Sequence, residues 1–490
     1  MRIVVHDEQG NVLPFRGYLQ AKGGASYFPP GTARFDKSST YDERHFLAPG
    51  EVTCEVPPGV YVLRVERGLE WLPATREIEV TDQSITVNML MHRWVDMKAL
   101  GWYSGDTHIH RAPDEAAVSL LAEDINLGAN QTLWNERNVY ADRGEPLPPL
   151  AYQTLDALHV LNVRSQETER LGKGWGAALF LGDFDPLSLP RNFNYPLTAK
   201  VCAEARKRGA HIDFEKSVWR DVPVCAALGL VDSIGVVHNH FHPQAFLPMR
   251  GISQSIVPPP NLEMTPRECA LYTLDLYYHL LNCGLRMAVS GGSASGVMPS
   301  WLGYERTYVK LDEPFTPDAW LRALRAGRSF ATNGPVLFLT VDGKDPGAVI
   351  ELPAARTTLT VKAEARSRDG KLILLELLHN GEVVAKAERA EGTNKLYINQ
   401  ELELGPGWLA ARCFEPEGDT QVYAATSPVY LEHEGQRGEV PDSARYYAEV
   451  VRQMIEQSLA EKRFTAPEQE SEALQILDAA LRYYQHAGGE

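Results

Sequence analysis

Nowhere in these 490 residues does an apolar run reach the ~18 residues that a membrane helix needs, so no helical membrane span is expected. Cysteine is sparse. The six thiols, Cys54, Cys202, Cys225, Cys269, Cys283 and Cys413, show no CxxC or CxxH spacing, which excludes a zinc finger or a disulfide framework and leaves buried free thiols as the expectation. Basic charge is also short, with 48 Lys and Arg against 64 Asp and Glu and a net charge of -16. Counterion release from a polyphosphate needs clustered cations, so nucleic acid is not an expected partner. No P-loop, GxGxxG fingerprint or GxSxG elbow sits at a strand-to-helix junction, and there is no internal repeat or low-complexity tract. The start, Met1-Arg2-Ile3-Val4-Val5, lacks the basic and apolar regions of a signal peptide; this points to the cytoplasm and leaves a removed leader open.

What is present divides into parts, since one core rarely organises more than about 250–300 residues. Residues 1–98 read as a small β-sandwich: strands at 2–5, 52–56 and 60–65, with Pro57-Pro58-Gly59 as a turn. From 99 to 333, apolar strands alternate with helical stretches, as at 198–208, 234–238, 265–282 and 317–326, the pattern of a parallel α/β domain closed as a barrel. One helix has both ends marked, with Thr265 as N-cap, Pro266 in its first turn, Glu268 completing a capping box and Gly284 as its stop. Period-two strands return over 334–433, with His379-Asn380-Gly381 as a turn, and predict a second β-sandwich. Residues 434–490 carry helical periodicity over 442–463 and 470–487, suited to an outer hairpin or to a contact in a homo-oligomer.

The chemistry centres on Gly105-Asp106-Thr107-His108-Ile109-His110. On a strand, residues two apart share a face, so His108 and His110 converge on one point, as two ligands of one metal require. Asp106 shares that face and is expected to orient an imidazole from behind, because metal-bound histidines usually donate their other N–H to a carboxylate.

The run Gly101-Trp102-Tyr103-Ser104-Gly105-Asp106-Thr107-His108-Ile109-His110 resembles the opening motif of the PHP (polymerase and histidinol phosphatase) superfamily, in its CehA/McbA-type branch. Gly303-Tyr304-Glu305-Arg306-Thr307-Tyr308-Val309 and the run from Arg325 to Pro335 resemble that branch's closing signature, so the likeness spans about 100 to 345. It implies a distorted β/α barrel that holds divalent metals, zinc above all but also manganese or iron, and hydrolyses phosphoesters or carbamate esters. By the same resemblance Glu167 bridges metals, and His211 and His240 supply further ligands, with His238 sharing the face of His240. The likeness has gaps. Where the family carries Thr-Asp-His this chain reads Gln131-Thr132-Leu133-Trp134-Asn135, so that Trp134 replaces a ligand, and where it ends on Asp-x-His this chain has Ser293-Ala294-Ser295. His108, His110, Glu167, His211 and His240 then remain for one or two ions.

Lys216, Trp219 and Asp221 follow the His211 strand and are expected to line the pocket, while Arg111, Arg306 and Arg328 are candidates to clamp an anionic group. His238 or Asp213 is the expected proton carrier. Three functions follow: a metallohydrolase that activates water against an ester-like bond of a small molecule, a binding module for a small molecule or sugar between the parts, and a metal-independent glycosidase using Glu167 and Glu215.

Overall fold

The structure, a computed structural model, describes residues 1–35, 44–170, 175–188, 194–253, 255–258 and 261–489. It is a mixed α/β molecule rich in strands. Near the N-terminus a three-stranded and a six-stranded sheet enclose one apolar core, with Ile3, Phe15, Phe46, Leu63 and Val65 fully buried in it. The strand Gly59–Glu66 alternates exposed and buried residues as a sheet with one wet face should.

The central strands form two sheets, and their pairing is mixed where the sequence led to an all-parallel expectation. Trp102–Ile109 runs parallel to Leu127–Asn130, which runs parallel to Val160–Asn162. In the other sheet His211–Phe214, Ser233–His238 and Ala288–Gly292 are parallel neighbours. Gln166–Arg170 and Gly176–Leu181, however, are antiparallel, as are Gly176–Leu181 and His211–Phe214. For the first of these pairs the reason is connection length. A parallel pair needs a crossover of a dozen or more residues, and the chain between Arg170 and Gly176 is far shorter.

Helix Pro266–Asn282 has the capping box in both directions, Thr265 accepting from the Glu268 N–H and Glu268 from the Thr265 N–H, and Gly284 ends it at φ 77°. Asn380 and Gly381, both at positive φ, make the two-residue turn between Leu372–His379 and Glu382–Thr393. Helices Pro441–Ala460 and Pro467–Ala487 pack on the central part, where the Tyr447 hydroxyl donates to the Leu276 carbonyl and the Tyr484 hydroxyl to that of Pro223. All six cysteines are buried free thiols. Among the described residues, no helix is long and apolar enough to cross a membrane.

The N-terminal sheets meet the central strands through buried charge. Arg16 pairs with Glu123 at 2.5 Å, and Asp124 accepts from Arg67, Arg93 and the Trp71 indole at 2.7 to 2.9 Å. Above this network lies a cavity of about 660 Å³ whose walls include Trp71, Trp94, Arg93 and Asp96. Asp124 and Asn126, which also line it, precede the strand Leu127–Asn130, so it opens at the opposite strand ends from His108 and His110.

Candidate metal centre

His108 is the next-to-last residue of the strand Trp102–Ile109, and His110 follows its end. Between Asp106 and Ile109 the register against the neighbouring strand shifts, so the backbone here leaves the regular ladder. Asp106 repairs that break. Its carboxylate accepts the His108 N–H at 3.0 Å, the Ser293 N–H at 3.0 Å and hydroxyl at 2.5 Å, and the Gly303 N–H at 2.8 Å. Both oxygens of Asp106 are therefore engaged in holding backbone in place, a different task from the imidazole-orienting one expected of it. The segment that departs from the family pattern braces the same strand: the His110 N–H donates to the Ser295 carbonyl at 2.8 Å. Gly292 permits this approach, since a Cβ there would stand 2.7 Å from that of His108.

Glu167 comes from Gln166–Arg170, directly across the ladder from Trp134. Its Oε2 is 2.9 Å from His110 Nε2 and 3.5 Å from His108 Nε2, and the two Nε2 atoms are 2.9 Å apart. All three side chains are buried. Among the described residues this is the trio whose ligand atoms converge closely enough to hold a metal ion. Three lone-pair-bearing atoms that close cannot each be satisfied by protons, because a hydrogen along one edge of the triangle leaves the other edges unserved. A point about 2 Å from all three lies just outside their plane, the Zn–N and Zn–O bond length. The residues therefore fit a divalent cation.

The electrostatics agree. Burial pushes the Glu167 carboxyl up, but the His108 and His110 imidazoles outweigh it and hold the group well below the usual carboxylate range. Burial pulls His108 down, yet Glu167 and Glu215 leave it raised, whereas His110 stays lowered by burial. The two imidazoles are thus pushed in opposite directions, both under the attraction of the Glu167 carboxylate.

Other residues close the pocket. The Trp134 ring lies 4.6 Å from that of His110, and its indole N–H donates to Glu169 at 3.0 Å. Glu215 Oε2 is 3.8 Å from His108 Nδ1, and the same carboxylate is ion-paired with Lys216 and accepts the Trp219 indole N–H at 3.1 Å. Glu169, two residues beyond Glu167 on one strand face, is a participant that the sequence reading did not single out. The period of two was the signal for it.

The remaining candidates lie elsewhere or are engaged otherwise. His211 begins its strand, at the far end from the trio, and its Nε2 meets the Ser233 hydroxyl at 2.8 Å, next to the charge of Asp232. His240 is outside the trio too. Its Nδ1 lies 2.9 Å from the Leu247 carbonyl, which fixes the proton there and leaves Nε2 with its lone pair. His238 has both nitrogens occupied, by the Thr273 hydroxyl at 3.3 Å and the His240 N–H at 3.3 Å, and burial holds it well below its ordinary range. Asp213 is sealed inside, accepting from Ser233 and Ser290 at 2.6 Å, and burial pushes it up to about 6. Asp221 sits by Arg170 and Thr198 rather than beside the trio. Arg111 donates to the Ser295 hydroxyl at 2.8 Å and lies over the Phe35 ring, while Arg328 pairs with Asp312 on the surface and Arg306 is buried near Glu70 and Glu123. Neither Arg306 nor Arg328 is in reach of a ligand at the trio.

No protein-family model matches the chain, and no curated protein matches it. Among solved structures it is similar to a two-domain protein from Bacteroides vulgatus containing a predicted PHP-like metal-dependent phosphoesterase. The two are 11% identical, with 67% of this chain and 95% of the other covered, at a TM-score of 0.31. At that score the likeness assigns no role to any residue of this chain. The centre stands on its own geometry, in which two histidines and a glutamate from two different strands meet in a pocket walled by Trp134 and by the Glu215–Lys216 pair.

Proposed function

We propose that this chain is a metal-dependent hydrolase of ester-like bonds, with His108, His110 and Glu167 as the protein ligands of a divalent cation. The observation that carries the reading is the convergence of His108 Nε2, His110 Nε2 and Glu167 Oε2 within 3.5 Å of one another in a buried pocket. Such a cation supplies a Lewis acid that polarises the ester oxygen and brings the acidity of a water toward neutrality. The chain's own residues do the rest. Asp106 fixes the strand that presents the histidines, Glu167 stays ionised, and the Trp134 indole restricts approach to His110 while holding Glu169 beside it. The motif likeness to the CehA/McbA-type branch of the PHP superfamily supports zinc, manganese or iron as the ion and a phosphoester, carbamate or carboxylic ester as the substrate. It also supports a barrel over 99–333 between two β-sandwiches, with a helical tail over 434–490.

The test is hydrolysis of a chromogenic panel, an aryl phosphate, an aryl acetate and an aryl carbamate, by protein reconstituted with zinc or manganese. Turnover abolished by a chelator and restored by the ion is expected; turnover indifferent to the chelator contradicts the proposal.

A second reading, a small-molecule or carbohydrate binding module, is favoured by one observation. The cavity of about 660 Å³ between the N-terminal sheets and the central strands has the size of a ligand site, with Trp71 and Trp94 among its walls. A metal-independent carboxylate pair of Glu167 and Glu215 is not favoured, because the His108 imidazole lies between them and Lys216 neutralises Glu215.

A further inference from the structure

Asp106 spends both its oxygens on backbone and on Ser293, so a carboxylate that orients a metal-binding imidazole has to come from another part of the chain. His108 is the ring that lacks one. Its Nε2 faces Glu167 and His110, while its Nδ1 is buried and has no hydrogen-bond partner among the described residues. Glu215 Oε2 stands 3.8 Å from that Nδ1.

The chain around Glu215 is built to hold its carboxylate there. Glu215 directly follows the strand His211–Phe214 and is buried. Gly235, on the neighbouring strand Ser233–His238, lets it come close, because a Cβ at that position would stand 2.2 Å from the Glu215 carbonyl oxygen. Ser217 ties the segment down, its N–H donating to the Gly235 carbonyl at 3.2 Å and its hydroxyl to the Thr273 carbonyl at 2.6 Å. At the side chain, Oε1 accepts from Lys216 Nζ at 2.6 Å and from the Trp219 indole N–H at 3.1 Å, and Nζ also contacts Oε2. Lys216 is buried as well, with Nζ 5.0 Å from the Trp219 ring centre. Two donors thus fix the rotation of the carboxylate with Oε2 on the side of His108.

A neutral imidazole carries one ring proton, and Nε2 can give its lone pair to a cation only when that proton is on Nδ1. Resting on the metal reading above, we infer that Glu215 is the positioning residue of His108: its Oε2 attracts the Nδ1–H, selects that tautomer and keeps Nε2 turned toward Glu167 and His110. At 3.8 Å this is the attraction of a carboxylate charge for an N–H dipole, longer than a hydrogen bond, and a buried contact is screened little by salt. The other tautomer would set a lone pair against a carboxylate and block the cation's place with a proton. Lys216 and Trp219 act one step further out, through Glu215.

Zinc affinity of the full-length protein, measured by competition with a chromophoric chelator, and long-range proton–nitrogen correlation spectra of the zinc-loaded protein with isotope-labelled histidines test this without relying on activity. Glu215→Leu, which keeps bulk without an acceptor, is expected to weaken zinc binding about 10- to 100-fold. Glu215→Gln is expected to weaken it less, because its amide oxygen still accepts from Nδ1–H. In wild type His108 is expected as the Nδ1-protonated tautomer bound through Nε2, with an Nδ1–H resonance that moves upfield in Glu215→Leu. The wild-type spectrum decides the tautomer whether or not the variants fold. His108 bound through Nδ1, an Nδ1–H resonance unmoved in Glu215→Leu, or zinc affinity within about twofold of wild type in both folded variants overturns the inference and leaves the metal reading standing. Wild type that binds no zinc overturns that reading and the inference with it.

Discussion

Replacing Asp106 separates two roles that a carboxylate beside metal-binding histidines can have. If it oriented an imidazole, its loss would weaken metal binding and leave stability nearly untouched. In the structure it instead accepts four hydrogen bonds, from the His108, Ser293 and Gly303 backbone N–H groups and the Ser293 hydroxyl, all in a buried setting. A buried donor left without a partner costs ~1–3 kcal/mol. Asp106→Ala strands four of them, so about 4 kcal/mol is expected at the low end of that range, before any water enters to relieve it. Asp106→Asn keeps one acceptor oxygen for the His108 and Ser293 N–H groups and turns an amide toward the Ser293 hydroxyl and Gly303 N–H, so about half that loss is expected. Urea unfolding followed by tryptophan fluorescence measures both. A difference from wild type below ~0.5 kcal/mol in both variants, with metal affinity reduced, would refute the backbone-clamp reasoning and restore the imidazole-orienting role.

Two further outcomes are expected. Trp134→Ala removes the ring that packs on His110 and the donor that holds Glu169, so bound metal should pass to an added chelator at least about tenfold faster, the effect of ~1.4 kcal/mol on the barrier; an unchanged release rate in a stopped-flow chelator assay would show that Trp134 does not cover the centre. Burial raises Asp221 from its ordinary value to about 7, with Thr198 and Arg170 offsetting only part of the cost. Because its folded value lies above its unfolded one, the native state holds the extra proton between about pH 4 and 7, and the stability that this proton contributes is lost as pH rises through 7. Asp221→Asn should therefore gain on wild type between pH 5 and pH 8 in urea midpoints, and an equal difference at both pH values would contradict the shift.

Much of the centre was legible in the sequence, for a specific reason. The His-x-His spacing needs only the period of a strand, and that period put both Nε2 atoms within 2.9 Å of each other. Glu167 was reachable through a family likeness alone, because the pairing that brings Gln166–Arg170 alongside Leu133–Trp134 is long-range. His211 shows the limit of that approach. It occupies a strand, but its first residue, and it meets Ser233 and the charge of Asp232 there rather than the trio. Asp106 was placed on the right strand but given the wrong partner, since a register shift that exposes the His108 N–H is not visible in residue types. Arg306 and Arg328 were indistinguishable from anion clamps until their own carboxylate surroundings were known. In the fold, local signals were the ones that read well: the Thr265 capping box and the Asn380-Gly381 turn both depend on neighbours in sequence. The antiparallel pairing of Gln166–Arg170 with Gly176–Leu181 was missed because residue types carry no mark of strand direction.

The central claim is that His108, His110 and Glu167 hold a divalent cation. Its most direct test is the metal content of purified, reconstituted protein by mass spectrometry, for wild type beside His108→Ala, His110→Ala and Glu167→Gln. The account predicts stoichiometric zinc, manganese or iron in wild type and loss of it in each variant, with folding intact by circular dichroism. A wild-type protein that holds no ion after reconstitution, or variants that keep the full complement, would contradict it.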